Sequence, residues 1–264
     1  MQQGDGSAAG KRRLDLGETG DHGPGLVGEG QGLPELRSAL RSFGSTLSAA
    51  RDLEVAQGRL NDQLVEEPEE YARAARRRLD EACGSRLAAA RGQARMLIDS
   101  DDYLQMLRDV DELVAHPKLS RRGQRAAVAE LPALIAASWH RLREEADVAL
   151  TDPGNVAAVH DVRKSAKTVR YATEAAIGAL GSDAVVFASA LEEIQETLGE
   201  FQDAGFTAAM LASLSLEEAT DGVAGFIFGR LHAFEQAMAH GAFDEFSDVW
   251  DRVEDGELVA ALGR

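Results

Sequence analysis

Apolar residues recur at the three- and four-residue spacing of an α-helix along most of the chain after residue 33. The spacing is clearest in two matching stripes, Leu36, Leu40, Phe43 and Leu47 in the first half and Phe187, Leu191, Ile194 and Leu198 in the second. With capping and turn residues as boundaries, the pattern predicts helices over residues 34–64, 66–98, 103–113, 124–150, 155–176, 181–201, 206–216, 222–240 and 243–253. No segment alternates between apolar and polar residues as a half-buried strand does. The sequence therefore predicts an all-α fold.

The two ends of the chain lack this periodicity. Residues 1–33 contain ten glycines, and each glycine weakens a helix by about 1 kcal/mol relative to alanine. We therefore expect a disordered leader over 1–33 and a short tail over 255–264. The folded domain is predicted to span residues 34–254.

The helix predicted for residues 155–176 carries a concentrated row of cations. At about 100° per residue, one arc of roughly 120° collects six polar side chains, namely His160, Arg163, Lys164, Lys167, Arg170 and Tyr171. The opposite side carries small and apolar residues, namely Ala158, Val162, Ala166, Val169, Thr173 and Ala176. Asp152 and Pro153 just before this stretch suit a helix start. The pattern predicts a helix with an apolar back and a cationic front.

The predicted helices recur at a fixed offset. A shift of 151 positions places Leu40 on Leu191, Phe43 on Ile194, Leu47 on Leu198, Asp52 on Asp203 and Leu60 on Leu211. In a chain rich in alanine and leucine, these matches leave chance agreement and a true repeat as open alternatives. A true repeat predicts two pseudo-symmetric antiparallel helical bundles, with repeats over about 34–120 and about 124–254. The counterpart of the cationic helix would then fall near residues 4–29, where only Arg12 and Arg13 match.

Charge and cysteine content narrow the classes of function. The formal net charge is −17, which opposes broad, non-specific binding to nucleic acid or to an anionic membrane. Cys83 is the single cysteine, so an intrachain disulfide is excluded. The sequence has no apolar run long enough to span a bilayer and no hydrophobic signal region. We expect a cytoplasmic protein.

The cationic row admits two interpretations. Acids on neighbouring helices could neutralise it, since the chain contains 45 aspartate and glutamate residues. Alternatively the row binds an anion, because arginine offers bidentate donors to phosphate oxygens and lysine a mobile point charge. The row extends over about three turns, or some 15 Å, which suits an extended polyanion better than a single phosphate.

Four segments of the chain together resemble the CHAD family of helical domains. The row itself reads H-x-x-R-K-x-x-K-x-x-R-Y from His160 to Tyr171, and LEEIQETLGEFQD follows it at 191–203. In the first half, LRSALRSFGSTLSAARDLEV at 36–55 and LIDSDDYLQML at 97–107 resemble the corresponding first element and middle segment. These segments appear in the order expected for the family and span about residues 34–250.

The resemblance implies two pseudo-symmetric four-helix bundles around a basic groove that binds inorganic polyphosphate. It places in that groove His160, Arg163, Lys164, Lys167, Arg170 and, at its edge, Tyr171. Second-tier contacts would be Arg37, Arg41, Arg51, Arg141 and Arg143. Asp52 and Asp203 are interpreted as caps or turn formers, since a carboxylate repels phosphate. Association with polyphosphate granules is a further expectation.

This chain departs from the family pattern at its start. The first repeat should open with its own H-x-x-R helix, where this sequence has the glycine-rich leader. We therefore expect a first bundle that is incomplete at its N-terminus, an opened groove and weaker binding. Many relatives carry a CYTH triphosphatase domain with an E-x-E-x-K element; the nearest string here, residues 67–71, lacks the lysine.

The sequence offers no catalytic constellation. The histidines outside the row show no metal-type pairing, and Asp161 is the single acid near the row. We therefore expect a non-catalytic protein without cofactor or metal. Two alternatives stay open: a helical scaffold that docks an acidic protein partner, and a phosphohydrolase acting on polyphosphate.

Overall fold

The computed structural model describes residues 33–217 and 221–263. Within these ranges the chain forms eight helices: α1 (Leu33–Val65), α2 (Glu69–Ile98), α3 (Asp101–Ala115), α4 (Ala127–Thr151), α5 (Val156–Leu180), α6 (Ser182–Ser215), α7 (Gly222–Asp251) and α8 (Glu257–Ala261). The prediction of an all-α fold is confirmed. The predicted leader lies outside the described residues, apart from its last residue, Leu33, which begins α1.

The helices repeat at the offset that the sequence suggests. A shift of 151 positions carries α1 onto residues 184–216 and α2 onto residues 220–249. These ranges agree with α6 and α7 to within about three residues, which is ordinary uncertainty for helix ends. α1 with α2 and α6 with α7 are thus equivalent hairpins, while α4 and α5 have no counterpart among the described residues.

Two apolar cores lie one at each end of the α6–α7 hairpin. The first core joins the C-terminal half of α1 and the N-terminal half of α2 to the end of α6 and the start of α7. The second joins α4 and α5 to the start of α6 and the end of α7. Because α6 and α7 pass through both cores, packing does not separate along the boundary between the sequence repeats. The result is two helical bundles that share a long central hairpin.

The central hairpin corrects four predicted boundaries. α6 runs without a break where two helices were predicted over 181–201 and 206–216, and α7 does the same over 222–240 and 243–253. Each of these helices buries side chains in both cores, so packing continues across Gly205 and Gly241 and offsets the intrinsic cost of a glycine. The predicted tail also folds: α8 packs on α4 and α6, and Leu262 is buried in the second core.

Within residues 33–217 and 221–263, the first bundle is less completely covered than the second at the N-terminal end of α1. In the second bundle Leu191 and Leu198 are 0% exposed, because α5 packs against α6. Their counterparts Leu40 and Leu47 are 43% and 37% exposed. The predicted stripe on α1 is thus buried only at Leu36, and α3 covers part of it through the stacked rings of Phe43 and Tyr103, 5.1 Å apart.

A buried ion network fixes α1 against the central hairpin. Glu235 on α7 is 0% exposed and accepts hydrogen bonds from Arg59 Nη2 at 2.7 Å and from Gln63. Arg59 Nη1 also donates to Glu200 on α6 at 2.8 Å. Removal of one partner from a buried pair costs about 3–5 kcal/mol. The network therefore holds the α1 helix in a defined position beside α6.

Candidate functional site

α5 directs the predicted row of cations away from the second core. The buried back of the helix consists of Val159, Val162, Ala166, Val169, Thr173 and Ala176, so Val159 takes the place predicted for the half-buried Ala158. Asn155 caps the helix by accepting a hydrogen bond from the backbone N–H of Ala158 at 3.1 Å. Asp152, predicted to start α5, ends α4 instead, because Pro153 and Gly154 form a turn between the two helices.

Two cations of the row are paired with acids. Lys164 Nζ donates to Asp161 Oδ1 at 2.8 Å, one turn back on the same helix. Arg170 Nη1 donates to Glu192 Oε1 on α6 at 2.8 Å, and its Nε lies 3.5 Å from Glu174 Oε1. These acids are about half exposed, and such pairs contribute only about 0–1 kcal/mol. A competing anion could therefore displace them at little cost.

Arg163 and Lys167, one turn apart in the middle of the row, have no ion-pair partner among the residues that the structure describes. Both side chains are half-buried. The Nε atom of Arg163 is inaccessible to solvent and makes no hydrogen bond to any described group. An unsatisfied buried donor costs about 1–3 kcal/mol. The centre of the row thus holds positive charge that the described protein groups do not neutralise.

The environment of Lys167 brings a residue of the first repeat into the site. Burial lowers the pKa of Lys167, and the positive charges of Arg163, Arg51 and Arg170 lower it further. Asp203 acts in the opposite direction and raises the pKa. Arg51 lies on α1, so α1 and α5 contribute cations to one shared field.

Arg51 is held by two acids. Its Nη1 and Nη2 donate to Asp203 Oδ1 and Oδ2 at 2.9 and 3.1 Å, and Nη1 also donates to Asp52 Oδ1 at 3.1 Å. The hydrogen bonding of Arg51 to the Asp203 carboxylate is the largest cause of the raised pKa of Arg51. The interpretation of Asp52 and Asp203 as caps or turn formers is wrong, because both lie in mid-helix and bind a guanidinium.

His160 and Tyr171 mark the two ends of the row. Both are exposed, and the guanidinium carbon of Arg170 lies 5.2 Å from the centre of the Tyr171 ring. A cation at this distance from a ring face is weakly attracted to it. Tyr171 therefore orients Arg170 as well as offering its own hydroxyl.

The remaining predicted residues lie on α1 and α4. Arg37 and Arg41 are exposed near the start of α1, about 15–20 Å from Arg51 along the helix axis. Arg141 and Arg143 are exposed on α4 on either side of the buried Leu142, about 200° apart around the axis. These last two side chains cannot both face one groove. The structure thus brings Arg51 to the row, leaves Arg37 and Arg41 about 15–20 Å from Arg51 along α1, and allows at most one of Arg141 and Arg143 to face the same groove.

Sequence reasoning missed the acids that hold the cations. Asp203 and Glu192 both lie on α6. Glu192 follows its partner Arg170 by 22 positions, and Asp203 follows its partner Arg51 by 152. One signal was available: Asp203 is the repeat counterpart of Asp52, the neighbour of Arg51. Two acids at equivalent positions of the repeat therefore bind one guanidinium.

Other kinds of site are not evident in the described part of the chain. There, no group of three or more histidine, cysteine, aspartate or glutamate side chains could hold a metal ion. Burial raises the pKa of the Cys83 thiol, which lies 3.9 Å from Met210 Sδ. Among the described helices, none combines the length and apolarity that crossing a membrane requires.

Comparison with known proteins identifies the family. A family model described as "CHAD domain" matches residues 26–212, most of the chain, so the chain belongs to the CHAD domain family. Among solved structures, PptA from Streptomyces chartreusis is similar, with a TM-score of 0.70 and 21% sequence identity over 83% of this chain and 79% of that one. At this identity the similarity concerns the fold. Comparison with curated proteins yields no match.

Proposed function

We propose that this member of the CHAD domain family is a non-catalytic module that binds inorganic polyphosphate. The observation that carries the proposal is the unpaired, half-buried charge of Arg163 and Lys167 at the centre of the α5 row. Two cations one turn apart repel each other and are partly withdrawn from water. A bound phosphate would relieve the repulsion between these two charges.

The geometry supports a linear polyanion as the ligand. From His160 to Tyr171 the row extends about 15 Å along α5, and Arg51 adds a cation from α1. Consecutive phosphates of a flexible chain could contact several of these cations at once. A single phosphate could contact only one or two of them.

The charge of the whole molecule supports selectivity against nucleic acid. The net charge of −17 repels a long, wide polyanion. Three acids also lie along the row, namely Asp161, Glu174 and Glu192. The row and Arg51 therefore form a basic strip that is narrow. A chain of bare phosphates could follow this strip, whereas a duplex would meet the acidic surface on both sides. A cytoplasmic location and association with polyphosphate granules remain predictions.

Charge reversal tests the proposal. Arg163→Glu together with Lys167→Glu is expected to weaken polyphosphate binding by on the order of a hundredfold or more, because two charge-assisted contacts become repulsive. Isothermal titration calorimetry measures the affinity, and circular dichroism checks that the helices remain. The matched control is Lys118→Glu with Arg121→Glu, which makes the same change in net charge on the loop between α3 and α4. Equal affinity of the two double variants would refute the proposal.

The same titration separates the two other candidate functions. A scaffold that docks an acidic protein would bind that protein and show no affinity for polyphosphate alone. A phosphohydrolase would release phosphate from polyphosphate in a metal-dependent manner. We expect binding without release.

A further inference from the structure

Asp203 binds the guanidinium of Arg51, the cation that the first repeat contributes beside the cationic row. Both carboxylate oxygens of Asp203 accept hydrogen bonds from Arg51, at 2.9 and 3.1 Å. The Asp203 side chain is only 17% exposed, whereas Asp161 and Glu192, the partners of Lys164 and Arg170, are 54% and 56% exposed. A two-point contact that is partly withdrawn from water is stronger than an exposed pair. Arg51, itself 49% exposed, is therefore held by a two-point contact whose acid is largely withdrawn from water.

Asp203 also acts on the centre of the row. Among the described carboxylates, Asp203 is the one that affects the pKa of Lys167. It raises that pKa, whereas Arg163, Arg51 and Arg170 lower it. Asp203 belongs to α6 and Arg51 to α1, so the pair lies between the repeats. An anion bound across Lys167 and Arg51 would meet the Asp203 carboxylate directly.

We propose that Asp203 is a built-in competitor of the anionic ligand, which makes the site select long polyphosphate over short phosphates. This inference rests on the proposed function. A carboxylate fixed beside Arg51 competes as if present at high local concentration. A short anion gains too few contacts to displace it, whereas a long chain held by Arg163 and Lys167 can replace it at Arg51 or bind past it.

Asp203→Asn tests the inference, because asparagine keeps the shape of the side chain and removes its charge. The variant is expected to bind tripolyphosphate on the order of fivefold more tightly than wild type, the factor that corresponds to one partly exposed charge pair. The gain for long-chain polyphosphate should be smaller, so discrimination between the two ligands should fall. Calorimetric titration with each ligand measures both effects.

Two further variants test whether the gain in tripolyphosphate affinity depends on Arg51. In an Arg51→Gln background, Asp203→Asn should give no gain for tripolyphosphate, because the competed guanidinium is absent. Asp161→Asn removes one acid from the exposed pair with Lys164 and is expected to give a smaller gain. Thermal unfolding checks each fold, and Asp203→Ser serves as a second neutral variant if asparagine is not tolerated.

The outcomes distinguish this inference from the proposed function. If wild type binds long polyphosphate and neither neutral variant at position 203 binds tripolyphosphate more tightly, the competitor role is refuted. Asp203 would then serve only to clamp α1 to α6, and its loss would lower both stability and affinity. If wild type does not bind polyphosphate of any length, the proposed function itself fails and this inference fails with it.

Discussion

At the scale of single residues, the affinity of the row for an anion depends more on how many of its cations lack an acidic partner than on how many cations it contains. Lys164 and Arg170 are paired with acids, whereas Arg163 and Lys167 are not paired among the described residues. Repulsion and burial raise the free energy of these two charges in the unbound protein. An anion that relieves this cost binds more tightly than it would to the same residues on an open helix.

The lowered pKa of Lys167 predicts how binding depends on pH. Its ammonium is charged below the pKa, and that pKa lies below the ordinary lysine value because of burial and the three nearby arginines. As pH rises in the alkaline range, Lys167 therefore loses its proton earlier than an exposed lysine, and affinity for polyphosphate should fall. Lys167→Arg stays charged and should keep its affinity to higher pH. Titrations over a pH series compare the two proteins; coincident profiles would contradict the assignment of Lys167.

The row could be predicted from sequence because it depends only on helical spacing. His160 to Tyr171 lie within about three turns, and the buried back predicted for α5 differs from the observed one at Ala158 alone. The pairing of the cations could not be predicted in the same way. Asp203 and Glu192 reach the row only through the packing of α6 against α1 and α5, which is a property of the tertiary fold.

At the scale of helices, the repeat places equivalent residues in unequal environments. Leu40 and Leu191 have the same position in α1 and α6, yet Leu40 is 43% exposed and Leu191 is 0% exposed. The difference arises because α5 covers α6, and no described helix covers α1 to the same extent. Sequence similarity between repeats therefore does not imply equal contributions to stability.

This asymmetry predicts unequal costs for two matched substitutions. Leu191→Ala should lower the free energy of unfolding by about 2–5 kcal/mol, because it leaves a cavity in the second core. Leu40→Ala should cost less than about 1 kcal/mol, because the side chain is already in contact with water. Urea denaturation followed by circular dichroism measures both. Similar losses would show that α1 is covered as completely as α6.

Helix continuity was the least predictable feature at this scale. The residues around Asp203 and Gly205 were predicted to break the helix, as were those around Gly241. Local propensity does favour a break at these glycines. At Gly205, burial on both sides outweighs this preference for a break, because Leu198 before it lies in one core and Leu211 after it lies in the other. Only the assembled pair of bundles provides both contacts.

At the scale of the whole molecule, a strongly acidic protein carries a narrow basic strip between two repeats. α5 forms one side of this strip and Arg51 of α1 approaches from the other. The position of α1 depends on the buried contact of Arg59 with Glu235. Among the described residues, the first bundle has no counterpart of α5 facing the strip. We expect weaker binding than two complete walls would give.

Salt should weaken polyphosphate binding, and the slope of affinity against salt concentration should increase with the number of cations that contact phosphate. Each phosphate that the protein neutralises releases counterions, so the affinity falls as salt rises. Because few cations form the strip, the dependence should be shallower than that of a protein with two basic walls. Calorimetric titrations at several salt concentrations measure this slope.

The most direct test of the central claim is lysine footprinting with and without long-chain polyphosphate. The sequence contains four lysines. Lys164 and Lys167 lie on the proposed strip, and Lys118 serves as the internal control. Amine acylation followed by mass spectrometry should show protection of Lys164 and Lys167, with Lys118 on the loop before α4 reacting as in the free protein. Binding that leaves Lys164 and Lys167 as reactive as before would contradict the account.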